Sequence, residues 1–113
     1  MGDALADAKA SVGPGWGKIL EELFPKLKAA GWDGDVHQVK EKFGGLRFYI
    51  GGASPEVHRL IDVAEEESLK TCEDCGGPGS PREGDWVQTL CDEHAKGRPV
   101  RRGALITTLK VFF

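Results

Sequence analysis

No run of this 113-residue chain is long or apolar enough to span a bilayer, and the start Met1-Gly2-Asp3-Ala4-Leu5 lacks the basic n-region and apolar core of a secretory leader. Cysteine is scarce. Three thiols cannot all pair as internal disulfides, which argues against a stapled secreted fold and for a reducing compartment; a cytosolic protein is expected. Catalytic clusters are missing too. His37 and His58 stand alone, no histidine-rich nuclease motif occurs, and Gly44-Gly45 lacks the Gly-Lys-Ser/Thr ending of a phosphate loop. The expectation is a protein that is not an enzyme.

Acids are absent from residues 96–113, which hold five Lys/Arg, whereas residues 1–95 hold eighteen acids and ten Lys/Arg. The net charge of −3 does not suit a general polyanion binder. Its unevenness marks a basic tail on an acidic body, either self-complementary or a contact surface. Lys96, Arg98, Arg101 and Arg102 carry that tail.

The strongest feature present is Cys72-Glu73-Asp74-Cys75, then fifteen residues, then Cys91-Asp92-Glu93-His94. Two ligand pairs, each with two residues between members, supply the four donors of one tetrahedral zinc ion. With Cys72, Cys75, Cys91 and His94 all from the protein, such a site is closed and structural, with no place for an activated water. The sixteen glycines suggest a loop-rich build that a metal staple would help to hold. A zinc ribbon places both pairs on hairpin knuckles, and a treble clef opens a helix with the second pair. Cys91-Asp92-Glu93-His94-Ala95 leans toward the second.

The rest of the chain predicts one small α+β domain over residues 1–113, with two helices and a β-hairpin. Residues 1–12 read as a frayed or weakly helical start, and Gly13-Pro14-Gly15 breaks the chain. Ile19, Leu20, Leu23, Leu27 and Ala30 recur at helical spacing, with Gly31 at the C-terminal cap and a kink or break expected at Pro25 near Phe24. Ser54-Pro55-Glu56 starts a second helix, with Val57, Leu60, Ile61 and Ala64 inward and Asp62, Glu65, Glu66 and Glu67 outward. Gly76 to Pro81 reads as a turn-rich loop, Trp86 to Leu90 as a short strand, and Leu105 to Phe113, within the basic segment 97–113, as a last strand. Trp16, Trp32 and Trp86 are assigned to the core.

Val36 to Ile50 reads as a hairpin with Gly44-Gly45 as its loop. That pairs Phe43 with Leu46, Glu41 with Phe48 and Val39 with Ile50 on an apolar face where Glu41 is the exception. The opposite face carries Lys40, Lys42, Arg47 and Tyr49. A cationic face with an interleaved aromatic suits phosphate and base stacking, although lysines also guard strand edges.

Val39-Lys40-Glu41-Lys42-Phe43-Gly44-Gly45-Leu46-Arg47-Phe48-Tyr49, with Thr71 to Gly76 and Trp86 to His94, resembles a group of small bacterial and phage-borne proteins. They share this hairpin and a Cys/His knuckle pair, and the likeness spans about residues 16–95. The resemblance implies a phage or prophage setting and an accessory role such as blocking a host defence. The expected function is therefore a zinc-stabilised module that binds a host protein. Its candidate faces are the hairpin residues, the acids Glu65, Glu66 and Glu67, and Arg101 and Arg102. A nucleic-acid-binding module and a small nucleotide-ligand binder are the alternatives.

Overall fold

A computed structural model describes residues 4–101. Arg102 and the expected strand from Leu105 to Phe113 lie outside the described residues.

The fold is small and α+β, with four helices and an N-proximal antiparallel hairpin. Helix α1 (Ala4–Ala10) leads through a 3-10 turn (Pro14–Trp16) into α2 (Gly17–Ala29). Strands β1 (Val36–Lys42) and β2 (Gly45–Ile50) form the hairpin, and α3 (Pro55–Ser68) returns across it. A second hairpin, β3 (Ser80–Arg82) and β4 (Gln88–Leu90), leads into the short α4 (Asp92–Ala95). Among the described residues no helix is long and apolar enough to cross a membrane.

The main core gathers one face of each of the first five elements. Leu20, Leu23 and Leu27 of α2, Val57 and Ile61 of α3, and Val39, Leu46 and Phe48 of the hairpin are buried together. Phe24, Trp32 and Phe48 close it as an edge-to-face cluster, with Phe24 centred 5.4 Å from Trp32 and 5.6 Å from Phe48. The start of the chain belongs to this core. Residues 4–10 are helical rather than frayed, because Ala8 is buried, Leu5 and Val12 pack beside it, and Lys9 pairs with Glu21 of α2.

Pro25 does not break α2, which runs unbroken through it. Proline withholds a hydrogen bond from the carbonyl four residues back, that of Glu21, and both residues are exposed, so water can serve that carbonyl. The helix ends in a Schellman arrangement. Trp32 N–H donates to the Leu27 carbonyl, Gly31 N–H donates to that of Lys28, and Gly31 sits at φ +97°. Helix α3 begins as its sequence suggests, with the Ser54 hydroxyl accepting from Val57 N–H.

The first hairpin turns one residue earlier than expected. Val39 faces Phe48, Glu41 faces Leu46 and Lys42 faces Gly45, so the loop is Phe43-Gly44. Both loop residues have positive φ, +54° and +82°, as a type I′ turn requires. Two contacts select this register. Gly45 lies under Leu69, where a Cβ would come within 3.2 Å of Leu69 Cδ2, so the residue without a side chain belongs in the strand. The Glu41 carboxylate accepts from Gly44 N–H at 2.7 Å, which explains an acid on the inward face. The one-residue move of the loop preserves the alternation, so Lys40, Lys42, Arg47 and Tyr49 still share the outer face. Phe43, by contrast, leaves the core and is 62% exposed.

Helix α3 also guards the outer edge of β2. Leu46 N–H donates to Ser68 Oγ at 2.9 Å and Phe48 N–H to Glu65 Oε2 at 3.0 Å. Edge amides are thereby satisfied by side chains instead of a third strand. Burial pushes the Glu65 carboxyl above its ordinary range, against the Phe48 amide and Arg47, which favour its charged form. Glu65→Ala should cost about 1–2 kcal/mol by leaving the Phe48 amide unpaired. Glu65→Gln keeps an acceptor and sheds the titration. A carboxyl raised in the folded state favours folding most below the ordinary carboxylate range, and that contribution is lost as pH rises through its folded value. Urea unfolding at saturating metal should therefore show Glu65→Gln gaining on wild type as pH rises above the ordinary carboxylate range of about 4.

Candidate metal centre

The end of α3 delivers the chain to the first ligand pair. Leu69 caps the helix, Trp16 Nε1 donates to the Thr71 carbonyl at 2.9 Å, and Thr71 bridges to Pro78. Residues 72–77 then fold into a tight knuckle. Cys72 N–H donates to the Gly77 carbonyl and Gly76 N–H to that of Cys72, while Gly77 N–H points at Cys75 Sγ at 3.4 Å. Gly76 holds φ +81° at the turn, where a side chain would be strained.

The second pair arrives on β4. Cys91 is the N-cap of α4, its sulfur accepting from His94 N–H at 3.4 Å. One turn of helix therefore sets Cys91 and His94 on the same side, as a spacing of three residues requires. The order is therefore a knuckle, a hairpin and a four-residue helix opened by the second pair.

The four donor atoms of Cys72, Cys75, Cys91 and His94 all lie within 4.8 Å of one another, so the set can hold a metal ion. A tetrahedral zinc with Zn–S of about 2.3 Å and Zn–N of about 2.0 Å would space sulfurs about 3.8 Å apart and sulfur from nitrogen about 3.5 Å apart. Cys75 Sγ stands 3.9 Å from Cys91 Sγ, and His94 Nδ1 stands 3.7 Å from Cys72 Sγ and 3.1 Å from Cys91 Sγ. The three cysteines are free thiols. Cys72 is buried, Cys75 is exposed and the other two ligands are between.

The local electrostatics favour a cation here. Burial alone would raise the Cys72 thiol, yet the backbone amides of Cys75, Cys91 and Asp74 outweigh it and bring the pKa down to about 6. Cys75 goes the other way: the Gly77 amide favours its thiolate, but burial and the neighbouring Cys72 and Cys91 raise it. Contact with Cys91 and Cys72 raises the His94 imidazole. Crowded sulfurs that cannot all ionise together are relieved by a positive ion among them.

Three residues other than the four ligands shape this site. Buried Glu73 pairs by backbone with Thr89, its N–H donating at 2.9 Å, and its carboxylate accepts from Thr89 N–H at 2.8 Å. Burial pushes Glu73 up to about 7 despite that amide, and Glu41, Asp74 and Cys72 add repulsion. Buried Thr89 in turn donates from Oγ1 to the Gly44 carbonyl at 2.6 Å, tying the tip of the first hairpin to the ligand-bearing strand. Buried Arg82 donates to the Leu90 and Arg98 carbonyls and, at 2.8 Å, to Asp92. No spacing signal marks these roles. Only the rarity of an unpaired arginine or glutamate in an interior could have pointed to them, and burial is not readable from three-residue strands.

The region read as a loop from Gly76 to Pro81 ends in β3, which pairs Ser80 with Leu90 and Arg82 with Gln88. Trp86 is not a core residue. It sits in the loop before β4, 63% exposed, while its carbonyl accepts from Arg98. Arg98 is no free arm of a basic tail either, since it also donates to the Glu83 carbonyl and to Gln88 Oε1. Arg101 is exposed, and its N–H extends the β3 edge by donating to the Pro81 carbonyl.

The remaining candidates separate. Lys40, Lys42, Arg47 and Tyr49 share one hairpin face, with Lys40 Nζ 5.9 Å from the Tyr49 ring centre. Glu66 and Glu67 are exposed on α3, but Glu65 is not a solvated acid: it is committed to the β2 edge and lies 4.0 Å from Arg47. A shallow groove of about 330 Å³ lies between the 3-10 turn and the knuckle, lined by Pro14, Lys18, Glu67, Thr71 and Cys75 among others, and includes none of the hairpin cations. Comparisons with protein-family models, with curated proteins and with solved structures find no match to this chain.

Proposed function

We propose that this protein is a non-enzymatic binding module, stabilised by one structural Zn²⁺ per chain on Cys72, Cys75, Cys91 and His94, that acts by binding another protein. Three sulfurs and an imidazole nitrogen form the donor set that zinc prefers over harder cations. Four protein ligands fill a tetrahedral ion, so the metal's work is to hold the scaffold.

The observation that carries the binding reading is the outer face of the first hairpin. Among the described residues no carboxylate pairs with Lys40 or Lys42, and Tyr49 beside them is exposed. Uncompensated cations and an exposed aromatic on a rigid strand pair resemble the anchors of protein interfaces. The resemblance to phage-borne proteins makes a host protein, and a counter-defence role, the specific form of this proposal.

Two measurements test it. Elemental analysis of protein purified without chelator should find one zinc per chain, and substoichiometric zinc would remove the metal assignment. Affinity capture from bacterial lysates should recover a stoichiometric protein that the double variant Lys40→Glu/Tyr49→Ser fails to hold. No such protein across several hosts would overturn the reading.

The stacking of Lys40 on Tyr49 favours nucleic acid as a second reading, since cations and aromatics on a strand face also bind single strands. Binding of this kind should weaken steeply with salt. Labelled DNA and RNA that fail to bind at low salt would end it.

A further inference from the structure

Solvent reaches the four ligands unequally. Cys72 is fully buried in the small cluster with Leu90 and Ala95, and the backbone amides of Cys75, Cys91 and Asp74 point at its sulfur. Cys91 is half-buried, its sulfur 3.1 Å from His94 Nδ1 and accepting the His94 N–H at 3.4 Å. Cys75 is exposed, and among the described residues one backbone amide, that of Gly77, reaches its sulfur, at 3.4 Å.

The shallow groove beside the knuckle opens on the same residue. Cys75 lines it together with Thr71, Pro14 and Lys18, and its volume of about 330 Å³ exceeds by far that of a molecule little larger than water. A metal-held cysteine is a thiolate, and thiolate character with exposure decides which cysteine an oxidant attacks. Amide hydrogen bonds and burial shield Cys72 from that attack and leave Cys75 open to it.

A second sulfur stands ready beside the first. Cys75 Sγ is 3.9 Å from Cys91 Sγ, and a disulfide needs about 2.0 Å. Closing that gap moves a surface knuckle toward the first residue of a four-residue helix, whereas Cys72 is locked among Leu90 and Ala95.

We propose that Cys75 is a site of oxidation by hydrogen peroxide or a small organic hydroperoxide, that Cys91 resolves it as a disulfide, and that the bridge unloads the metal. The Cys75 thiolate attacks one peroxide oxygen. The S–O bond forms, the O–O bond breaks and hydroxide leaves, so that sulfur is oxidised to the sulfenic acid and peroxide is reduced. The Cys91 thiolate then attacks the Cys75 sulfur, the S–S bond forms, the S–O bond breaks and a second hydroxide leaves. Two thiolates, one peroxide and two protons thus give one disulfide and two waters. Cys72 and His94 remain, too few donors for a closed tetrahedral site. The proposal goes beyond the binding reading and rests on the metal assignment within it.

The experiment treats the zinc-loaded full chain with hydrogen peroxide, follows released zinc with a chromophoric chelator, and maps the disulfide by trypsin and mass spectrometry. Cleavage after Lys70, Arg82 and Lys96 puts Cys72 and Cys75 in one peptide, 71–82, and Cys91 in another, 83–96. One zinc per chain should be released as a cross-link between the two peptides appears, and thiol reductant with added zinc should reverse both. Cys75→His keeps a metal donor and removes the thiol, so it should retain zinc and release it to peroxide at least tenfold more slowly. Release from Cys75→His as fast as from wild type overturns the proposal. So does a disulfide confined to peptide 71–82, a cross-link through Cys72, or zinc release with no disulfide. Should Cys75→His fail to hold zinc, the wild-type peptide map decides alone. Protein that holds one zinc per chain and keeps it under peroxide overturns the oxidation site and leaves the metal assignment standing. Protein that contains no zinc as purified and takes up none overturns both.

Discussion

Serine in place of Cys72 is expected to abolish metal binding and to melt the knuckle, β3–β4 and α4 while the helical layer holds. The reason is the unequal division of apolar burial. The main core gathers Trp16, Leu20, Leu27, Leu46, Phe48 and Val57 among others, whereas the second cluster, among the described residues, buries only Cys72, Leu90 and Ala95, with Cys91 packed beside them. Three small or medium side chains cannot offset the ordering of about thirty residues, each costing on the order of 1 kcal/mol or more. Structural zinc supplies on the order of 10 kcal/mol in small metal-dependent folds, comparable to the whole net stability of a domain. Removing one ligand should therefore lower Tm by about 15 °C or more. Hydrogen exchange with and without a chelator checks where the loss falls. Protection should vanish first at the amides of Cys72, Glu73, Gly76, Gly79 and Thr89, and persist longest in α2, α3 and the first hairpin. A melting curve unchanged by Cys72→Ser or by chelation would refute the site. The hairpin tip is expected to loosen as well, since Thr89, its anchor, sits one residue from the second cluster.

Much of this arrangement is legible in the chain, and the failures have physical causes. The ligand set is written in local spacing, and local spacing survives folding. The Ser54 cap and the Gly31 stop are equally local, and both appear as their residue types suggest. The hairpin register was not local. Gly44-Gly45 offers two turns that alternate side chains identically, and besides the Glu41 carboxylate on Gly44 N–H the choice depends on Leu69, which lies 24 residues beyond Gly45. Trp86 failed for a related reason. A large apolar residue beside a strand is normally core, but here the tip of the other hairpin rests on Val87 and leaves its neighbour outside. Glu65 looked like one of three equivalent surface acids until the geometry gave it the Phe48 amide. Contacts between distant segments decide all three cases, and a pattern read along the chain contains no such contacts.

Alanine at Gly15 should be the most damaging single methyl group in the described chain. Gly13-Pro14-Gly15 reads as a breaker, but its glycines are where the 3-10 turn meets the knuckle backbone to backbone. A Cβ on Gly15 would stand 2.0 Å from the Cys72 carbonyl oxygen and 2.6 Å from both the Glu73 carbonyl carbon and the Gly76 nitrogen. None of these atoms is the end of a flexible side chain, so the clash can be relieved only by moving backbone. Both sides resist: buried Trp16 fixes the 3-10 turn, while Gly76 at φ +81° and two metal ligands fix the knuckle. The substitution must also break the Gly15 N–H bond to the Glu73 carbonyl, 2.6 Å long. A cost of about 3 kcal/mol or more is expected, with weaker metal binding because Cys72 and Cys75 are displaced together. Other glycines give the scale. Gly52→Ala, with open space around it, should be nearly neutral, and Gly31→Ala, free of contacts but at φ +97°, should cost about 1 kcal/mol. Urea unfolding of the three variants, paired with competition against a chromophoric chelator, reads both effects. If Gly15→Ala unfolds no more easily than Gly31→Ala and holds metal as tightly as wild type, the knuckle is not braced by the 3-10 turn. If it weakens both, the packing of the 3-10 turn on the knuckle is coupled to metal affinity, through a residue that no ligand motif includes.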